Sequence, residues 1–235
     1  MMVDSSPGAS PEAPRRSARL VLIGPPGAGK GTLAENLCSF SFDHISSGDI
    51  FRGHVRNQTP LGQRLGKSLA NGQLVSDELT LETMKKWFWS RKPSQGFLLD
   101  GFPRTLSQAQ AFDEWLESRS IKLDAVIHLH LQEEAVVKRI AYRRVCPKDG
   151  RVYHLLYNPP AREGICDDCG TELIQRPDDR EPVIRERLRI YRQKTEPVLT
   201  YYREQGLLLT IHSEGHAADL AKTVEQKLQP FFAIR

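Results

Sequence analysis

Short apolar runs alternate along the chain with longer, helix-like stretches. "ARLVLIG" (18–24) is a nearly continuous apolar run ending in glycine, the pattern of a strand covered on both faces, and "KGTLAENLCSF" (30–40) continues beyond the next loop as a helix. "FLLDG" (97–101), "DAVIHLHL" (124–131) and "GLLLTIH" (206–212) read as further strands, with "FDHIS" (42–46) a weaker one. Helical patterns occupy 77–91, 105–117, 132–144, 179–204 and 217–229. This alternation predicts an α/β fold: a five-stranded parallel sheet with helices on both faces. No segment repeats another.

The 235 residues suffice for one core with one or two inserted lobes, and a net charge of +4 suits anionic small ligands while falling short of a nucleic-acid footprint. No apolar run approaches the roughly 18–20 residues that span a bilayer, so no membrane association is expected. Residues 1–17, rich in Pro, Ser, Gly and Ala, read as a disordered extension. Arg15 and Arg16 resemble a twin-arginine signal, but the following apolar stretch is broken by "GPPGAGK" and is better read as a strand. Of four cysteines, three lie in 146–169, which points to metal ligation in a reducing compartment, the cytoplasm, more than to disulfides; Cys38 is expected in the core.

The chemistry starts at "GPPGAGKGT", Gly24 to Thr32, between the first strand and helix. Gly24, Gly27 and Gly29 let backbone N–H groups turn toward phosphate oxygens, Lys30 adds a mobile charge, and the helix N-terminus adds its dipole. Gly31 stands where a magnesium-binding hydroxyl is usual, and Thr32 follows. In "FLLDGFPRT", Asp100 ends an apolar strand, where it could orient magnesium or its waters. Arg104, after the stiffening Pro103, suits a second phosphate as acceptor better than a water to be activated, although a surface position at a helix start also fits it.

"RRVCPKDGRVYHLLYNPPAREGICDDCG" (143–170) carries Cys-x2-Asp-x16-Cys-x2-Cys, the spacing of a two-knuckle zinc site with Asp149 in place of one cysteine. Carboxylate oxygen is an acceptable zinc ligand, so Cys146, Asp149, Cys166 and Cys169 form a chemically sound closed set; the alternative is a metal-free segment held by hydrogen bonds. A zinc-ribbon nucleic-acid-binding ATPase would need aromatics interleaved with a basic stripe, yet 143–175 has balanced charge and only Tyr153 and Tyr157.

Six motifs in order, "GPPGAGKGT", "ISSGDIFR" (45–52), "GQLVSDE" (72–78), "FLLDGFPRTLSQ" (97–108), "RIAYRR" (139–144) and "QRPDDREPVIRERL" (175–188), together resemble adenylate kinase in its long-lid form over about 19–228. The resemblance implies a nucleoside monophosphate kinase fold over 18–235, with an AMP-binding lobe at 46–75 and a lid at 142–179 like the zinc-bearing lids of some bacterial relatives. It implies Mg-dependent transfer between ATP and AMP by a monomer, with zinc structural. ATP would be held by Gly27, Ala28, Gly29, Lys30, Gly31 and Thr32, with Arg139, Arg143, Val152 and Tyr153 approaching from the lid hinge. Four residues apart, Arg139 and Arg143 are expected on one face of a helix. AMP would lie against Ser47, Arg52, Gln73 to Val75 including Leu74, and Gly101, Phe102, Pro103, Arg104 and Gln108, with Gln108 on its adenine. Lys30, Arg104, Arg143, Arg176 and Arg187 would surround the transferring phosphoryl group, although Arg187 could instead pair with an acid on its own helix. Ser47 replaces the threonine of many relatives and also occurs in GTP:AMP phosphotransferases; a UMP/CMP kinase is a further alternative, usually with a short lid. The loop "HSEGHAADL" does not align with the family's usual donor-base loop. Asp178 and Asp179 fit helix N-caps, since Glu181 and Pro182 suit a first turn, and His128 and His130 read as structural.

Overall fold

The computed structural model describes residues 16–37, 40–91, 96–214 and 217–233. At its centre is β1 (Arg16–Ile23), flanked in the order β3-β4-β1-β5-β8 by β3 (Asp43–Ser46), β4 (Gly96–Asp100), β5 (Ala125–His130) and β8 (Leu208–His212), all parallel. A short β2 (Phe40–Ser41) also pairs with the start of β1, which makes a sixth strand. Most of the expected extension, 1–15, lies outside the described residues, as does Cys38; Arg16 and Ser17 already belong to β1.

The apolar runs lack alternation because both sheet faces are covered. Leu20 and Leu22 of β1 pack with Ile127 of β5 against Leu33, Val136, Ile184, Leu188 and Val224 on one face. Val21 and Ile23 pack with Phe97, Leu99, Met84, Phe112 and Tyr202 on the other. The helices supplying these residues are α1 (Lys30–Asn36), α4 (Asp77–Arg91), α5 (Leu106–Glu117), α6 (Glu133–Ala141), α7 (Glu181–Ile190), α8 (Glu196–Glu204) and α9 (Ala217–Ala233).

Two smaller apolar clusters stand apart from the sheet. α2 (Ser47–Arg56) and α3 (Pro60–Ala70), capped by Ser46 and Thr59, enclose Phe51, Leu65 and Val75. They approach so closely that a Cβ on Gly62 would lie 2.0 Å from the His54 carbonyl oxygen, so glycine is required there. The second cluster lies in 143–176, around the hairpin β6 (Arg143–Val145) and β7 (Val152–His154), and consists of Cys146, Tyr153, Cys166 and Leu173 with Cys169 beside them.

Three local expectations need correction. The helix expected over 132–144 stops at Ala141, because Arg143 to Val145 pair with β7 and Val145 bridges to Ile174. Arg139 and Arg143 therefore lie on a helix and a strand, not on one helical face. Asp179 lies in a 3₁₀ turn, Pro177–Asp179, before α7, whose N-cap is Arg180 with no side-chain cap; Asp178 and Asp179 are free for other partners. Finally, the helix expected over 179–204 is interrupted by a π turn, Tyr191–Thr195, that links α7 to α8.

Candidate active site and metal cluster

The site lies at the carboxyl ends of the strands, where β1 is flanked by β4 and β5, the usual ligand position in such sheets. After Ile23 the chain turns through Gly27 (φ 75°) and Gly29 (φ 88°) into α1, which has no side-chain cap, so its first amides are open to an anion. A Cβ at Gly29 or Gly31 would meet nothing within 4 Å, so no other side chain packs against these two positions. Lys30 Nζ donates to the carbonyls of Gly24 and Pro25, each at 3.0 Å, and so lies across the mouth of this cradle. Burial, reinforced by Arg104, Arg187 and Arg143 against the pull of Asp100, pushes its pKa down to about 8.

Two open clefts of about 540 Å³ each adjoin here. One is lined by Gly24, Pro26, Lys30 and Pro103, the other by Ser47, Arg52, Gln73, Val75 and Gln108, and they share Gly72, Leu74, Gly101, Arg104 and Arg187. Ser47 Oγ donates to the Gly101 carbonyl at 2.6 Å and Arg104 Nε donates to the same oxygen at 2.6 Å, which ties the ends of β3 and β4 together. A third tie comes from the π turn, where the Thr195 hydroxyl donates to the Arg104 carbonyl at 2.9 Å. Tyr191 of that turn also lines the first cleft. Neither residue carried a sequence signal, since the π turn follows from no local pattern.

The cations around the shared wall are held by carboxylates of the turn before α7. The side chain of Asp179, fully buried, accepts from Arg143 Nε at 2.8 Å and from Arg143 Nη2, while Asp178 Oδ2 pairs with Arg187 Nη1 at 2.9 Å. Arg187 thus pairs with the turn, not with an acid on its own helix. Burial opposes the charge on Arg143, but Asp179 outweighs it and holds its pKa above the ordinary value. Arg187, despite Asp178, is pushed down to about 10 by burial, and Arg176 to about 9 by burial with Arg52 and Arg143. Arg176 Nε is buried without any hydrogen-bond partner. An anion is what this cluster lacks.

At the far end of the second cleft the Gln108 side chain is buried, its Oε1 accepting from the Arg104 amide at 2.8 Å and its Nε2 donating to Asp77 Oδ1 at 2.7 Å. Asp77 lay within a quoted motif, but its role was not visible from spacing. The remaining expected residues are placed differently. Phe102 is buried in the aromatic core against Phe112, and Tyr153 has its ring and hydroxyl inside the cysteine segment, where the Asp167 amide donates to the hydroxyl at 2.8 Å; neither side chain faces a cleft. Val152 is 46% exposed, and Arg139 donates to the Ser213 carbonyl at 2.7 Å, which links α6 to the loop after β8. His128 is buried with its Nε2 3.2 Å from the Tyr191 hydroxyl, in keeping with a structural role.

Cys146, Asp149, Cys166 and Cys169 bring their ligand atoms within 4.8 Å of one another. Two turns of the same form do this: the amides of Cys146 and Gly150 bond the Arg151 and Cys146 carbonyls, and those of Cys166 and Gly170 bond the Thr171 and Cys166 carbonyls. Gly150 (φ 87°) and Gly170 (φ 69°) supply the left-handed residue each turn needs. The Arg151 amide donates to Asp149 Oδ1 at 2.8 Å and turns the other oxygen toward Cys166 Sγ, 3.2 Å away. Three sulfurs and one oxygen so placed fit a four-coordinate metal. Two nearby groups stay outside the set: Asp168 pairs with Arg151, and His154 Nδ1 accepts from the Leu156 amide.

Among the described residues no helix is long and apolar enough to cross a membrane. Residues 22–207 match the family model described as adenylate kinase. A protein named adenylate kinase from Streptomyces lividans is 51% identical over 199 residues, covering 84% of this chain and 99% of its own length. Proteins of the same name from Caldicellulosiruptor bescii and Archaeoglobus fulgidus are each 44% identical over 211 residues, covering 89% of this chain and 98% and 97% of their own lengths.

Proposed function

The chain belongs to the adenylate kinase family and is a phosphotransferase, and from that premise we propose that it moves a phosphoryl group reversibly from Mg-bound ATP to AMP, giving two ADP. The observation that carries this reading is the pair of clefts meeting at Gly72, Leu74, Gly101, Arg104 and Arg187, one opening from the Lys30 cradle and the other closed by Gln108. ATP places its phosphates on the amides of Gly27 to Thr32, with the group to be transferred reaching the first cleft beside Lys30; AMP lies in the second with its phosphate toward Arg52 and Arg104 and its base toward Gln108. The protein's task is to fix charges and exclude water, since phosphoryl transfer needs little covalent chemistry from it. Lys30 exchanges its two carbonyl partners for phosphate oxygens, and Arg143, Arg176 and Arg187 meet the charge that spreads over the group in flight. Magnesium, arriving with ATP, supplies further charge neutralisation, and Thr32 and Asp100 are the groups suited to its waters.

We assign 46–75 as the AMP lobe and 142–179 as a lid. The four-ligand cluster in the lid suits zinc, bound by Cys146, Asp149, Cys166 and Cys169 as a fold-holding ion. The three thiols of the cluster, free of disulfides, suit the reducing cytoplasm, and we take the enzyme to act as a monomer. The test is a coupled assay of the purified protein over a matrix of nucleoside triphosphate donors, GTP included, and nucleoside monophosphate acceptors. Phosphorylation of UMP or CMP about tenfold faster than AMP would overturn the acceptor assignment, because base contacts commonly discriminate by that much or more.

A further inference from the structure

We propose that Asp77 determines acceptor specificity by fixing which end of the Gln108 amide is oxygen and which is nitrogen. The pocket then takes a purine with an amino group at position 6 and refuses one with an oxo group there. This rests on Gln108 facing the acceptor base, as proposed above.

A glutamine amide turned by 180° keeps its shape and exchanges donor for acceptor. Adenine and a 6-oxopurine differ in that same sense. On the edge that carries N1, adenine offers an amino donor beside the ring-nitrogen acceptor N1, while a 6-oxopurine has an oxo acceptor and an N1–H donor in those two places. An unrestrained glutamine would serve either base by turning over, so selectivity requires something that forbids the turn.

Two contacts do so. The Arg104 amide, which can only donate, faces Oε1 at 2.8 Å, and the Asp77 carboxylate, which can only accept when ionised, faces Nε2 at 2.7 Å. Turning the amide over would set oxygen against carboxylate and N–H against N–H in a residue only 2% exposed, where unmade hydrogen bonds cost most. Asp77 is itself fixed: its Oδ2 accepts from Thr105 Oγ1 at 2.9 Å and Ser107 Oγ at 3.0 Å, and it stands in the first turn of α4, where a negative charge is favoured. With one lone pair and one N–H occupied, Gln108 retains one acceptor and one donor site, in fixed order, for the cleft that it lines.

The experiment compares kcat/KM for AMP and for inosine monophosphate, the 6-oxo probe, in the wild type, Asp77→Asn and Gln108→Ala. Asparagine can present either oxygen or NH2 to Gln108, so Asp77→Asn should raise the inosine monophosphate to AMP ratio about tenfold, near the low end of what a bidentate base contact discriminates. A merely structural role would lower both efficiencies together and leave the ratio unchanged, and that result overturns the proposal. If Gln108→Ala also leaves the ratio unchanged, the placement of the acceptor base has failed instead. Should Asp77→Asn not fold, the wild type still decides. One glutamine side-chain amide in its ¹⁵N spectrum, assigned by its loss in Gln108→Ala, must show a scalar coupling across a hydrogen bond to a carboxylate carbon, and its absence refutes the contact.

Discussion

Replacing Asp179 by asparagine keeps the shape of a fully buried side chain and removes the charge that is hydrogen-bonded to Arg143. Asp179 makes two hydrogen bonds to the Arg143 guanidinium and lies 3.4 Å from Arg187 Nη1, so two cations lose a buried counter-ion. Breaking one side of a buried ion pair costs about 3–5 kcal/mol. Asparagine still accepts one hydrogen bond, and Asp178 remains beside Arg187, so about 3 kcal/mol is a fair expectation. For a domain of this size each kcal/mol moves the melting temperature by about 2–4 °C, which gives a fall of about 6–12 °C in the nucleotide-free protein. A bisubstrate analogue carrying phosphates in both clefts supplies the missing negative charge, so its stabilising effect should be larger in Asp179→Asn than in the wild type. Thermal unfolding with and without the analogue measures both quantities. A nucleotide-free melting temperature within about 2 °C of wild type, less than 1 kcal/mol on this scale, would refute the assignment of Asp179 as a necessary counter-ion.

Lys30→Met should reduce turnover by about 10²–10³-fold, with nucleotide affinity changing much less, because a fixed cation is most useful as charge redistributes; steady-state kinetics with direct binding measurements separate the two. Thr195→Val leaves the half-buried Arg104 carbonyl without its hydroxyl partner, so KM for AMP should rise several-fold while that for ATP stays put; equal changes in both would count against it. His128, pushed down to about 4 by burial with His130, Arg203 and His212, stays neutral in the folded protein below the pH at which the unfolded chain protonates, about 6.5. Stability is therefore complete above that pH and falls on acidification toward 4, by on the order of 2 kcal/mol; urea midpoints at several pH values should show a smaller loss in His128→Gln. Cys166→Ala and Asp149→Ala should each lose zinc by elemental analysis and melt at lower temperature, with much activity kept in the cold; a full equivalent of zinc in Asp149→Ala would remove Asp149 from the ligand set.

The strands and the phosphate cradle were legible because their signals are local. Continuous apolar runs mean burial on both faces, and Gly27 and Gly29 adopt the positive φ angles that the turn needs. The knuckles were legible for the same reason: Cys-x-x-Asp-Gly and Cys-x-x-Cys-Gly each close a single turn, and distance in sequence enters only once, when the two turns meet. What escaped depends on remote partners. "RIAYRR" has a helical pattern, yet Arg143 leaves the helix because β7 pairs with it and Asp179, 36 residues on, binds it. Asp178 and Asp179 resemble caps until the arginines they face are known. α2 and α3 were missed because their apolar residues face a small private cluster and their packing depends on one glycine, Gly62. The π turn, which places Thr195 on Arg104 and Tyr191 at His128, corresponds to no motif at all.

These remote contacts explain how so many cations coexist before nucleotides arrive. Lys30, Arg104, Arg143, Arg176 and Arg187 depress or counter one another electrostatically, and Asp100, Asp178 and Asp179 offset them only in part. The offset is uneven. Arg143 and Arg187 have carboxylates from the turn before α7, whereas Arg176, the residue just before that turn, keeps a buried Nε with no partner. One short segment, 176–179, therefore carries both the counter-ions of the free enzyme and the cation most in need of a phosphate. Arg176 and the carboxylates that face Arg143 and Arg187 thus share one stretch of backbone. That stretch lies at the base of the proposed lid and contains none of the four residues of the metal cluster. Metal removal should accordingly change how stable the lid is, while substitutions in the turn change how the lid responds to nucleotide.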